Sequence, residues 1–309
     1  MTDKNIVLLV GGVGGAKLAF GLNKLVSPEN LTIIVNTADD FWLYGLRICP
    51  DVDTIMYTLS GMVDKQNGWG VSGDTAITLN ALERIGEAPW FRLGDRDLAT
   101  HMLRTQLWYE GYSLTAITKR LTSVLDIKCD ILPMTNTPVE THVDTVERGE
   151  LPFQMYFVKH RWQPTARNIR FDNIEQANVS DESRAAIENA DAIIVGPSNP
   201  WLSIQPILSV PGMRELLAAQ QVPRIAVTPL ISGEAVKGPT AKIMRELGYT
   251  TTAQTIAEFY GRVINRFAYD KRDAPLQMEN LRLLALDTLM QSEERRVELA
   301  SQLLHWLED

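Results

Sequence analysis

Positions 5–10 form a short apolar run closed by glycines, and a second such run covers positions 31–36. Continuous apolar runs of this length between turn residues predict buried strands. Between them, Gly11 to Gly15 predicts a loop and positions 16–25 a helix. Strand, crossover helix and strand make a βαβ unit. Such crossovers are right-handed, give parallel pairing and place ligand sites at the carboxyl ends of the strands.

From Asp53 to about Leu125 the spacing turns helical, with Asp53, Asp74, Asp95 and Ser113 placed to cap helices, the third running through Arg104. Apolar or alternating runs at positions 129–132, 139–143, 153–158 and 168–171 predict a small additional sheet. Apolar strands return at 191–195 and 224–227, and a strand at 281–286 precedes a last helix with Ser292 as its cap and Val297, Leu299, Leu303 and Trp306 as its apolar stripe. The pattern predicts an α/β protein with a Rossmann-like three-layer α/β/α parallel-sheet core. The core is expected from about 1–52 and 185–290, with a helical and β insertion at about 53–184, in a single large domain spanning 1–309.

Composition narrows the function. With 45% hydrophobic and 22% charged residues the chain reads as folded throughout. A net charge of -8 argues against a nucleic-acid partner, which needs clustered Lys and Arg. The start lacks a basic leader and long apolar stretch, and no later run is long enough to span a bilayer, so a cytoplasmic place with no membrane partner is expected. Cys49 and Cys129 lie far apart and predict reduced thiols. The histidines, His101, His142, His160 and His305, show no metal-ligand spacing, and no Ser/His/Asp or Cys/His grouping suggests covalent catalysis.

The first candidate for chemistry is Gly11-Gly12-Val13-Gly14-Gly15-Ala16-Lys17, where glycines let backbone amides approach phosphate oxygens at a helix start. Ala16 and Leu18 break the P-loop pattern, and Lys17 stands where G-x-G-x-x-G needs its last glycine. The plain alternative is a tight turn whose glycines serve packing. Next comes Asn36-Thr37-Ala38-Asp39-Asp40, whose paired carboxylates could hold magnesium beside a ligand phosphate, form a solvated turn, or bind a ribose hydroxyl. Arg47, Asp51 and Asp53 add charge nearby, Asp53 also as a helix cap. Arg92, in Trp90-Phe91-Arg92-Leu93-Gly94-Asp95, has no obvious structural duty and suits an anion or a planar ring. Pro197, Ser198 and Asn199 follow a core strand and should face the glycine loop; the alternative is a stiff turn. Lys237-Gly238-Pro239-Thr240 opens a helix and could present amides or a cation to the same crevice; the plain alternative is Pro in a first helical turn.

In this order, GGVGGAK, NTADD, YGLRICPDVDTIMYTL, GWG, WFRLGDRDLATHMLRT, ILPM, GPSNPWLSIQPIL and VKGP resemble the 2-phospho-L-lactate transferase family of coenzyme F-420 biosynthesis over nearly the whole chain. The resemblance implies a magnesium-dependent enzyme, usually dimeric. It would move a phospholactyl, phosphoenolpyruvyl or phosphoglyceryl group from a guanosine-diphosphate-linked donor to the terminal ribityl hydroxyl of the deazaflavin Fo, releasing GMP. Carried over by motif, Asp39 and Asp40 would hold Mg2+, and Asp53 and Arg92 would contact Fo. Gly11, Gly12, Gly14, Gly15, Lys17, Pro197, Ser198 and Asn199 would bind the nucleotide phosphates. Asp39, Asp40 and Asp53 would be the catalytic group, with Asp53 or Asp39 taking the proton of the attacking hydroxyl. The competing expectation is a non-catalytic nucleotide-sugar-binding regulator of the same fold, which would not need the PDVDT and WFRLGD stretches. An NAD-dependent oxidoreductase is disfavoured by the broken G-x-G-x-x-G.

Overall fold

The computed structural model describes residues 2–308. The first apolar run becomes β1 (Ile6–Val10), buried at every position. The helix that follows, α1 (Gly12–Asn23), starts earlier than the apolar pattern predicts. The glycines are its first turn, with Gly11 extended as the N-cap. Their small size is what permits this. A Cβ on Gly14 would lie 2.4 Å from the Pro197 carbonyl oxygen, and one on Gly15 2.6 Å from Val10 Cβ. The crossover ends in β2 (Leu31–Val35), which pairs in parallel with β1, Ile6 opposite Leu31.

Among the described residues the central sheet has seven strands, in the order Arg282–Leu286, Arg266–Asp270, Arg224–Val227, Ala192–Val195, β1, β2, Asp130–Pro133. All of its pairings are parallel. The chain builds outward from β1 on one side, then returns to build on the other, so its direction of winding reverses between β1 and Ala192–Val195. Open parallel sheets bind ligands in the crevice at such a reversal. The α/β class and parallel core agree with the sequence pattern. The strand Arg266–Asp270 was not anticipated, because charged residues at both ends mask its buried centre.

Apolar residues fill both faces of the sheet. One face packs Leu8, Val10 and Ile33 against α1 and the C-terminal helix Glu293–His305; the other packs Leu9, Ile34 and Phe267 under Trp201, Ile207 and Tyr260. Beyond β2 the chain makes a hairpin, β3 (Phe41–Leu43) and β4 (Leu46–Ile48), turned at Tyr44 and Gly45, both with positive φ. Two-residue hairpin loops favour this left-handed geometry.

Three helices follow: α2 (Pro50–Leu59), α3 (Ile77–Arg84) and α4 (Asp95–Tyr109). Asp53 lies inside α2 rather than at its cap, since Pro50 takes the first turn, where its missing N–H costs nothing. Asp74 and Asp95 do cap helices, but each caps the other's. Asp95 accepts from the amides of Ile77 and Thr78, at 2.8 and 2.9 Å, and Asp74 accepts from Arg96 and Asp97, at 2.8 and 3.0 Å. Gly94 is required where they meet, because a Cβ there would fall 1.9 Å from an Asp74 carboxylate oxygen.

The small antiparallel sheet is present, with Glu140–Thr145 between Gly149–Pro152 and Ala166–Asp172, but the run at 129–132 expected in it becomes the edge strand of the central sheet beside β2, so the core takes a strand from within the stretch 53–184 expected as an insertion. Residues 153–158, expected as a strand, are helical, and Met155–Lys159 winds as a wide π turn. Phe153 and Tyr156 are both buried, and the Phe157 ring lies 5.1 Å from that of Phe153. Spacings of three and four residues give a helical face where a strand needs alternation.

Candidate active site at the carboxyl end of the sheet

A cavity of about 540 Å³ opens at the carboxyl ends of the central strands. The glycine loop, the 197–199 loop, the start of α2, the first turns of α4 and the 236–240 segment all border it. Of the residues singled out from the sequence, Gly11, Gly12, Gly14, Lys17, Asp39, Asp53, Arg92, Pro197, Ser198 and Asn199 line it. Gly15 and Asp40 do not. Gly15 is a packing residue against Val10 and Ser198.

The glycine loop is less free than the sequence suggests. The Gly11 amide donates to Ser198 Oγ at 3.1 Å, and Ser198 donates back to the Gly11 carbonyl at 2.7 Å, so this serine stitches the two loops together. The Gly12 amide donates to Asp51. The next amides of the first turn, those of Val13 and Gly14, have no acceptor within the helix and face the helix-start side where an anion is favoured. Lys17, one turn on, makes no ion pair among the described residues; burial lowers its pKa, and Arg296 and Lys237 push in the same direction. Asn199 uses Oδ1 to cap the turn at Trp201 and Leu202, which leaves its buried Nδ2 without an acceptor.

Asp39 and Asp51 form the acidic wall next to this donor-rich end. Both are buried, at 5% and 7% exposure, and both border the cavity. Burial raises the Asp39 carboxyl well above the usual range and the neighbouring Asp51 raises it further, against the Thr141 and Asn36 side chains. Burial likewise pushes Asp51 up to about 6, although Asn36 donates to it at 3.0 Å. Asp39 Oδ1 has no hydrogen-bond partner among the described residues. Two crowded carboxylates, each driven toward the neutral form, fit a divalent cation bound by oxygen ligands, whose charge would reverse that preference. Asp40 sits behind the wall. Its Oδ2 is 3.5 Å from Arg47 Nη2, and burial raises its carboxyl to about 7 against the pull of that guanidinium.

Two residues beyond Asp51, Asp53 points toward α4. Arg104, 1% exposed, grips it with both guanidinium nitrogens, Nη1 lying 3.1 Å from Oδ2. Arg104 Nη1 is also 3.1 Å from His101 Nδ1. A guanidinium only donates, so Nδ1 is the acceptor and the opposite nitrogen, Nε2, carries the proton that faces Asp97 Oδ2 at 3.3 Å. Tyr57 donates to the other Asp97 oxygen at 2.6 Å. Burial raises the Asp97 carboxyl, but His101, Tyr57 and Arg104 together hold it below the usual range. Asp53, Asp97 and His101 each offer an atom within 4.8 Å of the others, the spacing of a second possible cation site. Their charges are already met by Arg104 and Tyr57, which makes them poorer metal ligands than Asp39 and Asp51. Arg92 is exposed beside Phe91, whose ring stacks edge-on with Phe41 at 4.8 Å.

Sequence reasoning missed Asp51, Asp97 and His101 as site residues. The signal for the last two was the i, i+4 spacing of Asp97 and His101 on one helical face; for Asp51 there was only its nearness to NTADD.

A parallel sheet with its crevice at the winding reversal, a glycine-started helix and buried carboxylates defines a Rossmann-like α/β protein with a crevice suited to a phosphate-bearing ligand. The chain matches the family model of 2-phospho-L-lactate transferase CofD over residues 6–304 and belongs to that family. It is 38% identical over 299 residues to the 2-phospho-L-lactate transferase of Methanosarcina mazei, covering 96% of this chain and 98% of that one. It is 38% identical over 308 residues to the phosphoenolpyruvate transferase of Thermobifida fusca (96% and 95%), and 41% identical over 274 residues to that of Mycobacterium ulcerans (83% of each). A solved UPF0052-family protein from Bacillus halodurans superposes with a TM-score of 0.58 at 18% identity, over 90% of this chain and 83% of that one, a likeness of fold. The chain is thus a transferase of the CofD family, and the non-catalytic nucleotide-sugar reading finds no support among these relatives. No helix of the described residues is long and apolar enough to cross a membrane.

Proposed function

We propose that the protein transfers a phosphate-linked small acid from a guanosine-diphosphate-linked donor to the terminal ribityl hydroxyl of Fo, releasing GMP. One observation carries this reading. A single cavity joins a donor-rich end, at Val13, Gly14, Lys17 and Asn199, to an acidic wall and then to the Asp53, Phe91 and Arg92 side. The diphosphate of the donor fits the first end, where free amides and a cation meet. The deazaflavin fits the last, where Phe91 and Arg92 offer a ring and a guanidinium to a planar ligand and Asp53 accepts from hydroxyls.

Asp39 and Asp51 would hold Mg2+, with Asp40 supporting the turn from behind through Arg47. The ion would neutralise charge on the transferred phosphoryl oxygens. Asp53, tied to Arg104, is suited to orient the acceptor; burial raises its carboxyl above the usual range against the pull of Arg104 and His101. The attacking group is the acceptor hydroxyl, and the protein's share is alignment and charge stabilisation. We place the enzyme in the cytoplasm as a homodimer, and the donor acid among phospholactate, phosphoenolpyruvate and phosphoglycerate.

Titration of the purified protein with Fo, followed by fluorescence with and without GDP and magnesium, tests the reading. Saturable Fo binding is expected, and mass spectrometry of the product then gives the acid. No Fo binding under any of these conditions would overturn the assignment.

A further inference from the structure

The sequence offers Lys237 only as a cation near the crevice of the glycine loop, and the tertiary structure places it against that loop. Its segment, between the strand Glu234–Ala235 and the helix Thr240–Glu246, lines the mouth of the cavity. Lys237 Nζ donates to the carbonyl of Asn67, on a loop some 170 residues away in sequence. That loop presses on the start of α1: a Cβ on Gly68 would lie 2.8 Å from Val13 Cγ1 and 3.9 Å from Lys237 Nζ. The ammonium therefore stands over the same helix start that carries the unsatisfied Val13 and Gly14 amides.

The charges around it are one-sided. Lys237 makes no ion pair among the described residues, and its proximity helps lower the pKa of Lys17, which has no carboxylate partner either. Burial also lowers the pKa of Lys237 itself. Two mutually repelling cations, neither in an ion pair among the described residues, and an unpartnered Asn199 amide crowd a helix start whose nearest carboxylate, Asp51, is engaged by the Gly12 amide and Asn36, and a multiply charged anion would relieve the repulsion. An ammonium has three N–H donors. The Asn67 carbonyl takes one, which leaves two for ligand oxygens.

We propose that Lys237 is the second cationic arm of the diphosphate site, closing over the phosphates opposite Lys17 and tying the Trp69-bearing loop to the bound ligand through Asn67. This deepens the proposed function and rests on it for the guanosine identity of the ligand, though not for the diphosphate.

Lys237→Gln keeps a side-chain N–H for the Asn67 carbonyl and removes the charge, so it separates a phosphate contact from a mere loop tie. Calorimetric titration of wild type and variant with GDP, with inorganic pyrophosphate and with Fo reads the difference. The expected result is a ten- to hundredfold loss of affinity for GDP and pyrophosphate, about the contribution of a hydrogen bond to a charged group. Fo affinity should hold within twofold, which also shows the variant is folded, and Lys237→Arg should recover most of the loss. Equal GDP affinity in wild type and Lys237→Gln would overturn the clamp and leave the guanosine-donor reading standing. Lys237-dependent pyrophosphate binding with no preference for GDP would keep the clamp and overturn that reading. A wild-type protein that takes neither anion would overturn both.

Discussion

The two ends of the cavity solve opposite problems. At the glycine-loop end donors predominate: the first-turn amides of Val13 and Gly14 have no acceptor within the helix, and among the described residues Lys17 and Lys237 make no ion pair and Asn199 Nδ2 has no acceptor. At the α4 end, Asp53, Asp97, Arg104 and Tyr57 are paired in a nearly closed network, with His101 Nε2 facing Asp97 at 3.3 Å but making no hydrogen bond among the described residues. An end left electrostatically incomplete is one a ligand completes; a closed network is a rigid surface against which a ligand is aligned. Asp39 and Asp51 stand between, crowded and partly unsatisfied, as a cation site would be.

The contrast can be broken most directly at the acidic wall. Asp51→Asn should leave the fold intact and cut transferase turnover by about a thousandfold or more, the loss expected when charge stabilisation of a phosphoryl group is removed. Steady-state kinetics with saturating magnesium check this, and near-normal turnover would remove Asp51 from the metal site. Asp53→Asn should behave differently, as a stability variant first. It leaves the buried Arg104 charge uncompensated, and a loss of about 3–5 kcal/mol in denaturant unfolding is expected, with Fo affinity falling more than GDP affinity. A variant as stable as wild type would show that the α4 network is not paired as described.

A pH series sharpens the middle of the comparison. The folded-state pKa of Asp51 is raised, to about 6, so the folded protein retains a proton that the unfolded chain releases near pH 4. This contribution to stability is present below about pH 4 and lost as pH rises through about 6. Magnesium should therefore raise Tm more at pH 7.5, where the wall is ionised, than at pH 5, where protons compete for it. An equal shift at both pH values would place the ion elsewhere, with Asp53, Asp97 and His101 the next candidates.

Smaller effects test the frame around the site. Gly14→Ala places a methyl 2.4 Å from the Pro197 carbonyl oxygen, a backbone atom that cannot swing aside. It should cost about 1–3 kcal/mol in unfolding and weaken GDP binding by moving the two loops apart. Asp74→Ala and Asp95→Ala should each cost about 1 kcal/mol, since each removes a helix cap, with activity falling more for Asp74, whose loss frees the amide of Asp97. Activity unchanged by both would disconnect the caps from the site.

The local pattern of residues determined the βαβ opening, the parallel core and the loops that border the cavity, because buried strands and glycine turns leave their mark within a few residues. It also supported the family resemblance, whose motifs run in order along the chain. What it did not determine was which polar groups meet. Asp39 and Asp40 are adjacent in sequence, but the turn after β2 sends one into the cavity and the other back to Arg47. Asp51 and Asp53 share a helical turn yet serve opposite ends, since positions two apart on a helix face different ways. Asp74 and Asp95 read correctly as caps, but only the packing of α3 against α4 exchanged their targets. Lys237 reaches the glycine loop from the segment after Arg224–Val227, two strands away from β1 in the sheet. A side chain's partner across the fold depends on crossings and loop heights that no local spacing encodes, so the charge balance of this site was decided by the tertiary structure.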